Sequence, residues 1–367
     1  NLEVKTLAKR GTTATFDYND SAQSFIVSND FGTIDMDESS VGDEWNSGET
    51  LTVTLVDQDL NKNTLSDEDM VLRTHNTTIP AMIIGSPITL DSTSKLGYAN
   101  MTVNAFNKIA TITNPDNDDV QYGGWVTLNF STTTVAEYRA QANAADFIFL
   151  NYDVSQVFSA IDGVLLVDTE FTSVVAETTT TAEKGLLRLT GTLAAAGTEA
   201  MEKGDIQLNF TTDSNGLTAA TGETMYVDIF TFGDKSGYDR QNNAIYRFLL
   251  EETGDNTATF VGDVEFVMLN QINTDLLATY TGITTISDEI VIIVHEDLTD
   301  EDAPRINYLD LGSDGVSTQI ADQVEAPSHS GVVTFDSDNY KTADTVVVML
   351  DDQDLNTDSD LVDVYIT

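Results

Sequence analysis

Two stretches of this chain pass from strand to loop in the same way. The first is Thr50-Leu51-Thr52-Val53-Thr54-Leu55-Val56, which runs into Asp57-Gln58-Asp59-Leu60-Asn61-Lys62-Asn63-Thr64-Leu65-Ser66-Asp67-Glu68. The second is Val346-Val347-Val348-Met349-Leu350-Asp351, which runs into Asp352-Gln353-Asp354-Leu355-Asn356-Thr357-Asp358-Ser359-Asp360-Leu361-Val362-Asp363. Leu51, Val53 and Leu55 alternate with threonines, the pattern of a strand with one face in a core. An identical Asp-Gln-Asp-Leu-Asn after a strand in both places marks an internal repeat, and a repeat predicts a chain built from modules.

The loop chemistry suggests a hard cation. Oxygens at loop positions 1, 3, 5 and 7, with a carboxylate at position 12, form the donor set that calcium takes on a flexible turn. The first copy offers Asp57, Asp59, Asn61, Asn63 and Glu68, and the second offers Asp352, Asp354, Asn356, Asp358 and Asp363. Neither is an EF-hand: Lys62 and Thr357 stand where that motif has glycine, and the flanks read as strands. The competing reading is a solvated acidic turn. Lys62 weakens the first copy as a cation site, so the second is expected to bind more tightly.

Composition narrows the function classes. The 367 residues suggest two or three domains. With no cysteine there is no disulfide framework, zinc-thiolate site or cysteine nucleophile, and the three histidines, His75, His295 and His329, are scattered. The 61 acidic residues outnumber the 16 basic ones, giving a formal charge of −45 and a pI near 4.1. Such a chain repels nucleic acid, which needs clustered Lys and Arg. Self-repulsion on this scale also makes counter-ions important to the compact state. The chain is still 41% hydrophobic, so it is expected to fold. It contains no apolar run long enough for a transmembrane span. Its start, Asn1-Leu2-Glu3-Val4-Lys5, has neither an initiator Met nor a signal region, which predicts a segment of a longer mature chain.

Along the chain, alternating segments separated by polar turns predict strands near Ser24–Ser28, Thr50–Val56, Met70–Arg73, Ala81–Ile84, Ala99–Val103, Ile109–Thr113, Gly124–Phe130 and Phe147–Tyr152. A short helix is expected over Val135–Ala145. Strands continue at Gly163–Asp168, Leu186–Thr192, Asp205–Phe210, Glu223–Phe232, Ala244–Glu251, Thr257–Leu269 and Asp288–His295, and Ser173–Glu183 reads as an exposed low-complexity loop. Many short strands without a long helix point to an all-β fold of antiparallel sandwiches. Similar Tyr-x-Asp endings at Tyr18-Asn19-Asp20 and Tyr308-Leu309-Asp310 suggest where modules close. The expected division is residues 1–20 as the last strand of a preceding module, 21–153 and 154–310 as immunoglobulin-like sandwich modules, the second of them divisible into two subdomains, and 311–367 as the start of another.

These features together resemble a family. A closing Tyr-x-Asp, an acidic aromatic opening such as Val333-Thr334-Phe335-Asp336-Ser337-Asp338-Asn339-Tyr340, and a strand into Asp-x-Asp-Leu-Asn resemble archaeal surface-layer (S-layer) proteins, particularly those of ammonia-oxidising archaea (Thaumarchaeota). The segment Glu252-Thr253-Gly254-Asp255-Asn256-Thr257-Ala258-Thr259-Phe260-Val261-Gly262 is similar to a Glu-Thr-Gly-x-x-Thr-x-x-Phe-x-Gly strand pair that recurs in that family. The resemblance implies tandem immunoglobulin-like domains that form a two-dimensional coat outside the cell. It also implies glycosylation, a divalent cation such as calcium, and ligands at Asp57, Asp59, Asn61, Asn63, Asp352, Asp354, Asn356 and Asp358.

Other features carry weaker signals. Asn19, Asn76, Asn100, Asn129 and Asn209 are Asn-x-Ser/Thr sequons, at a number that chance alone would give. The acidic runs Asp116–Asp119 and Asp297–Asp302 read either as cation-holding junctions or as solvated turns. His295 reads as a surface strand-end histidine rather than a metal ligand, and Trp45 and Trp125 read as core or lattice contacts. No nucleophile elbow or phosphate loop is visible, and carboxylate pairs alone do not make a hydrolase. The sequence therefore predicts a non-enzymatic extracellular protein that self-assembles into a cation-stabilised lattice and whose acidic pores gather small cations, ammonium among them. A calcium-dependent adhesin is the alternative, and an extracellular hydrolase a distant third.

Overall fold

The structure is a computed structural model that describes residues 4, 8, 11–42, 44–72, 78–89, 101–102, 107–113, 120–128, 144–153, 155, 163–168, 184–188, 206–212, 224–233, 241–270, 272–274, 276–295, 303–312 and 316–365. It is all-β, with sheets that are mostly antiparallel. The chain opens with the hairpin β1 (Thr13–Tyr18) and β2 (Ser21–Ile26). Asn19 and Asp20 close it with φ of 54° and 64°, the two left-handed residues of a type I′ turn. Then come β3 (Thr33–Met36), β4 (Leu51–Val56), β5 (Ala81–Ile84), β6 (Ile88–Thr89), β7 (Met101–Thr102), β8 (Asn107–Thr113), β9 (Val120–Leu128) and β10 (Phe147–Asp153). β11 (Gly163–Asp168), β12 (Lys184–Arg188), β13 (Ile206–Thr212), β14 (Thr224–Gly233), β15 (Gln241–Phe248), β16 (Glu251–Glu252) and β17 (Thr259–Leu269) follow. A one-turn helix, α1 (Leu277–Thr281), leads to β18 (Ile286–Ser287), β19 (Glu289–His295), β20 (Arg305–Leu311) and β21 (Ser317–Gln323). The last hairpin is β22 (Val332–Phe335) and β23 (Val348–Asp351).

Two sheets enclose the core. One has the order β16-β17-β4-β3, with β19 parallel to β17. The other runs β12-β10-β14-β15-β5-β20-β21, with β6, β7 and β18 attached at its sides. A separate four-stranded sheet has the order β11-β13-β9-β8. Leu51, Val53 and Leu55 of β4 are fully buried while Thr52 and Thr54 remain partly exposed, as the alternation predicts. They join Ile34, Met36, Phe260, Phe266 and Ile292 in one hydrophobic cluster that extends to Tyr246 and Tyr308. Trp45 lies in this core, edge-on to Phe266 at 4.7 Å, and its Nε1 donates to the Glu49 carbonyl at 2.7 Å. Tyr246 ties the layers together: its hydroxyl accepts the Ile293 amide at 3.0 Å.

Several expectations shift. Met70 and Leu72 are buried as a strand would bury them, but this segment makes only the single bridge Asp69↔Glu251. The helix expected over 135–145 lies outside the described residues except for Ala144 and Ala145, both buried, and the loop 173–183 lies outside them altogether. β10 from before Asp153 pairs with β14 from after it, and β4 pairs with β17, so strands on both sides of the expected division share sheets and one core. A division at Asp20 falls inside the β1–β2 turn, and one after Asp310 separates β20 from its partner β21.

Deep in the larger sheet, Arg247 Nη1 meets Asp228 Oδ2 at 2.5 Å with both side chains fully buried. Removing one partner takes from the other its buried, charge-assisted bond. Arg247→Met should lower the free energy of unfolding by about 3–5 kcal/mol, read from urea midpoints. The double variant Arg247→Met/Asp228→Leu should recover much of that loss.

Candidate functional site

Both acidic loops open with the same two hydrogen bonds. Asp57 Oδ1 accepts the Asp59 amide at 2.8 Å, and Asp352 Oδ1 accepts the Asp354 amide at 3.2 Å. The Leu60 amide donates to the Asp57 carbonyl and the Leu355 amide to the Asp352 carbonyl, each at 3.3 Å. Position 12 closes each loop on position 6. Glu68 Oε2 accepts the Lys62 amide at 3.0 Å, and Asp363 Oδ2 accepts the Thr357 amide at 2.8 Å while its Oδ1 takes the Thr357 hydroxyl. Asn63 and Asp358 accept the amides two residues on, Leu65 at 3.2 Å and Asp360 at 2.8 Å. The side chains read as cation ligands are therefore engaged largely with their own backbone. Among the described residues no three His, Asp or Glu side chains are arranged to hold a metal ion.

Each loop is also anchored to the body. The first docks on the turn before β17, where the Asp57 amide donates to the Ala258 carbonyl at 3.0 Å and Asn61 Nδ2 donates to Asn256 Oδ1 at 3.0 Å. Glu252, nearly buried, knots this junction. Its carboxylate accepts the amides of Glu68, Thr257 and Ala258 at 3.0, 2.9 and 2.7 Å, and the Thr257 hydroxyl. Burial works to raise this carboxyl, but the three amides and the hydroxyl outweigh it and hold the group below its ordinary value. The Glu-Thr-Gly-x-x-Thr-x-x-Phe-x-Gly segment thereby acquires a physical meaning. Glu252 binds the turn, Asn256 and Ala258 take left-handed φ of 59° and 52°, and Gly262 leaves no room for a Cβ beside the Asp288 carbonyl, 2.6 Å away.

Tyr308 completes the first site from β20. Its hydroxyl donates to Asp57 Oδ2 at 2.5 Å, while Asp310, also on β20, accepts the Gly32 amide at 3.2 Å. Burial, with Asp57 beside it, pushes the Tyr308 phenol up. Asp59 lies outermost, with its carboxyl raised to about 6 by desolvation and by the charges of Asp57, Asp30 and Asp310.

The second loop is seated differently. Buried Asp354 accepts the His329 amide on both carboxylate oxygens, at 3.0 and 2.9 Å, with His329 Nδ1 at 3.2 Å. Asn356 exchanges two hydrogen bonds with Ser47, and the Asp354 carbonyl accepts Asn270 Nδ2 at 3.0 Å. Asp358 and Asp360 then face Glu265 on β17, whose carboxyl is raised to about 7 by partial burial and those two charges.

The remaining candidates are dispersed. Asn19 is exposed in the β1–β2 turn. Asn209 sits on β13 opposite Leu165 and Trp125, though its side chain, like that of Trp125, is outside the described residues. Asn76, Asn100, Asn129 and the acidic runs 116–119 and 297–302 also lie outside them. His295 is fully buried on β19, not at the surface: the apolar Ile292-Ile293-Val294 run carries it into the core. Tyr308 and Asp310 were visible in the sequence as the Tyr-x-Asp motif, and Glu252 as part of the Glu-Thr-Gly segment. Glu265 and His329 gave no local signal. Comparison of the sequence with protein-family models and with curated proteins gives no match.

The two kinds of carboxyl oppose each other in their effect on pH stability. Asp59 and Glu265 hold protons more tightly folded than unfolded, so stability should rise as pH falls through about 7 and about 6, towards the unfolded values of 4.5 and 3.8. Glu252 is depressed, so its contribution is present above its unfolded value of 4.5 and is lost as pH falls through the lower folded one. Thermal melts in chelator should therefore peak near pH 5, above the melting temperature at pH 8, and Asp59→Asn should flatten part of that slope. Glu252→Gln should destabilise by about 2–3 kcal/mol, since charge-assisted amide bonds contribute ~1.5–3 kcal/mol each and a neutral amide satisfies fewer of them.

Proposed function

We propose that this is a non-enzymatic structural protein of the cell surface, with tandem immunoglobulin-like sandwiches that self-associate into an S-layer-type lattice. The observation that carries this reading is the pair of hairpins that bury nothing. Every residue of β1, β2, β22 and β23 is exposed, including Phe16, Tyr18, Phe335 and Leu350. Exposed apolar rows of this kind mark surfaces built for association.

Charge sets the condition for such contacts. At −45, like subunits repel, and a divalent cation such as calcium would let them approach by screening carboxylates. It would act first where carboxylates crowd with raised affinity for a positive partner, around Asp57, Asp59 and Asp310 and around Glu265, Asp358 and Asp360. The same acidic surface would enrich small cations, ammonium among them, near the coat. No helix among the described residues is long and apolar enough to cross a membrane.

The test is solution scattering and negative-stain imaging across a calcium titration, with magnesium and chelator as controls. Sheets or tubes that form with calcium and dissolve with chelator are expected. Monodisperse rods at every cation concentration would overturn the lattice reading in favour of a calcium-dependent adhesin.

A further inference from the structure

The smaller sheet carries a cavity on the face turned away from Phe266. Successive side chains of a strand point to opposite faces. Phe266 and Ile292 are buried in the core, so Glu265, Val267 and Val291 stand on the other side, with Glu265 and Val291 paired in register. Ile272 and Leu276, at the entry to α1, flank this floor and are 45% and 46% exposed. Tyr280 holds α1 in place from the core, its ring 4.5 Å from that of Phe147 and its hydroxyl donating to the Thr274 carbonyl at 2.8 Å. Leu361 and Val364 line the far side. The space between them is about 670 Å³, the size of a small-molecule site.

Its polar groups are of one sign. Glu265, Asp358 and Asp363 line the cavity, and among the described residues no Lys, Arg or His side chain does. Most of the oxygens are already engaged. Asp363 accepts the Thr357 amide and hydroxyl, and Asp358 accepts the Asp360 amide. Asn273 is satisfied in the same way, its Oδ1 taking the Asn270 amide at 2.8 Å and its Nδ2 donating to the Met268 carbonyl at 2.9 Å.

Glu265 is the exception. Among the described residues its carboxylate accepts no hydrogen bond and meets no cation. Partial burial, then the charges of Asp358 and Asp360, raise it to about 7. A carboxylate withdrawn from water without a partner is costly, and a cation beside it removes that cost.

The walls decide which cation. Calcium takes a shell of about six to eight oxygens, and valine, isoleucine and leucine side chains supply none. A bare ammonium ion would leave the same walls facing water. An alkylammonium ion satisfies both parts, with N–H donors for one carboxylate and a carbon chain for the apolar floor.

We propose that this cavity binds an organic ammonium ion, its N–H groups donating to Glu265 and its aliphatic part lying against Val267, Val291, Ile272 and Leu276. Glu265 supplies the charge selection, and the apolar walls discriminate against inorganic cations. The site lies within one molecule and stands apart from the self-assembly reading.

The test is methyl NMR of the full chain at pH 8 in chelator, titrated with hexylammonium. Hexanol and ammonium serve as the two halves of that ligand. Saturable shifts at the methyl groups of Ile272, Leu276 and Val291 are expected with hexylammonium, and each half should bind about tenfold more weakly, having lost either the charge-assisted bond or the apolar burial. Glu265→Gln removes an unpaired charge, so it should melt no lower than the parent while losing about tenfold in hexylammonium affinity. Ile272→Ser, at a half-exposed position and read at Leu276 and Val291, should weaken hexylammonium and leave ammonium unchanged. A Glu265→Gln variant that binds as tightly as the parent, or hexanol that binds as tightly as hexylammonium, would overturn the proposal. Diffuse shifts over the acidic surface, with none that saturates at these methyl groups, would overturn it too, as attraction to net charge alone. The lattice reading is decided separately, by calcium-dependent assembly.

Discussion

Everything around the first acidic loop depends on carboxylates accepting backbone amides. Glu252 takes three of them and Asp57 takes one, plus a phenol from a strand some 250 residues away in sequence. A turn that leaves a β-ladder exposes amides that must find an acceptor, and buried ones are costly if they do not. An ionised carboxylate satisfies them with short, charge-assisted bonds and is itself stabilised in return. These knots fix the angle at which β4 leaves the sheet, the seat of β20 against β3, and the tight approach of β17 at Gly262. The sandwich can then bring strands from Thr33 to Gln323 into one core without a disulfide.

That arrangement also divides the acidic residues into two populations. Some are paid by amides, as Glu252 and Asp363 are. Others, such as Asp59 and Glu265, are partly desolvated beside further carboxylates, which raises their carboxyls to about 6 and about 7. The second population makes the protein responsive to pH and to cations, while the first makes it rigid. The two populations meet at the acidic loops, with Asp59 inside the first and Glu265 facing the second from β17, so a change in ionic conditions acts beside the joints that hold the loops.

The strands were legible in the sequence wherever one face meets the core and the other meets water, as at Leu51, Val53 and Leu55. β10 was found by its apolar run alone, since all seven of its residues are buried. The segment at Met70 looked like a strand because it buries alternate residues, but burial does not require a ladder. Partners were not legible: the parallel pairing of β17 with β19, and the antiparallel pairing of β10 with β14 across the expected division, are long-range facts with no local mark. In the loops, the sequence showed the right residues but left their targets open. A carboxylate spaced to reach a cation is equally spaced to reach an amide, and only the backbone conformation distinguishes the two. His295 illustrates the same limit, because a polar residue at the end of an apolar run reads as a strand exit unless a facing layer covers it.

The registers of β3–β4 and β22–β23 match, Ile34↔Leu55 and Met36↔Val53 in one corresponding to Val333↔Leu350 and Phe335↔Val348 in the other, and this has a consequence for the order of folding. β3–β4 precedes β20–β21 in the chain and must wait for it, since loop closure over such a distance is slow compared with hairpin formation. β22 begins nine residues after β21 ends, and β22–β23 forms locally with the same register and the same glycine-to-aspartate contact, Gly331 against Asp352 as Gly32 against Asp57. Two hairpins of matching register but different sequence thus lie within reach of a single seat, the later one with the shorter tether. What favours the correct occupant is chemical detail at the seat: the Met36 amide on Asp322, and the further clamp of β4 onto β17, which the Thr52 hydroxyl reinforces by donating to Asp263. The first repeat is thus selected after the fact, by its neighbours, rather than by arriving first.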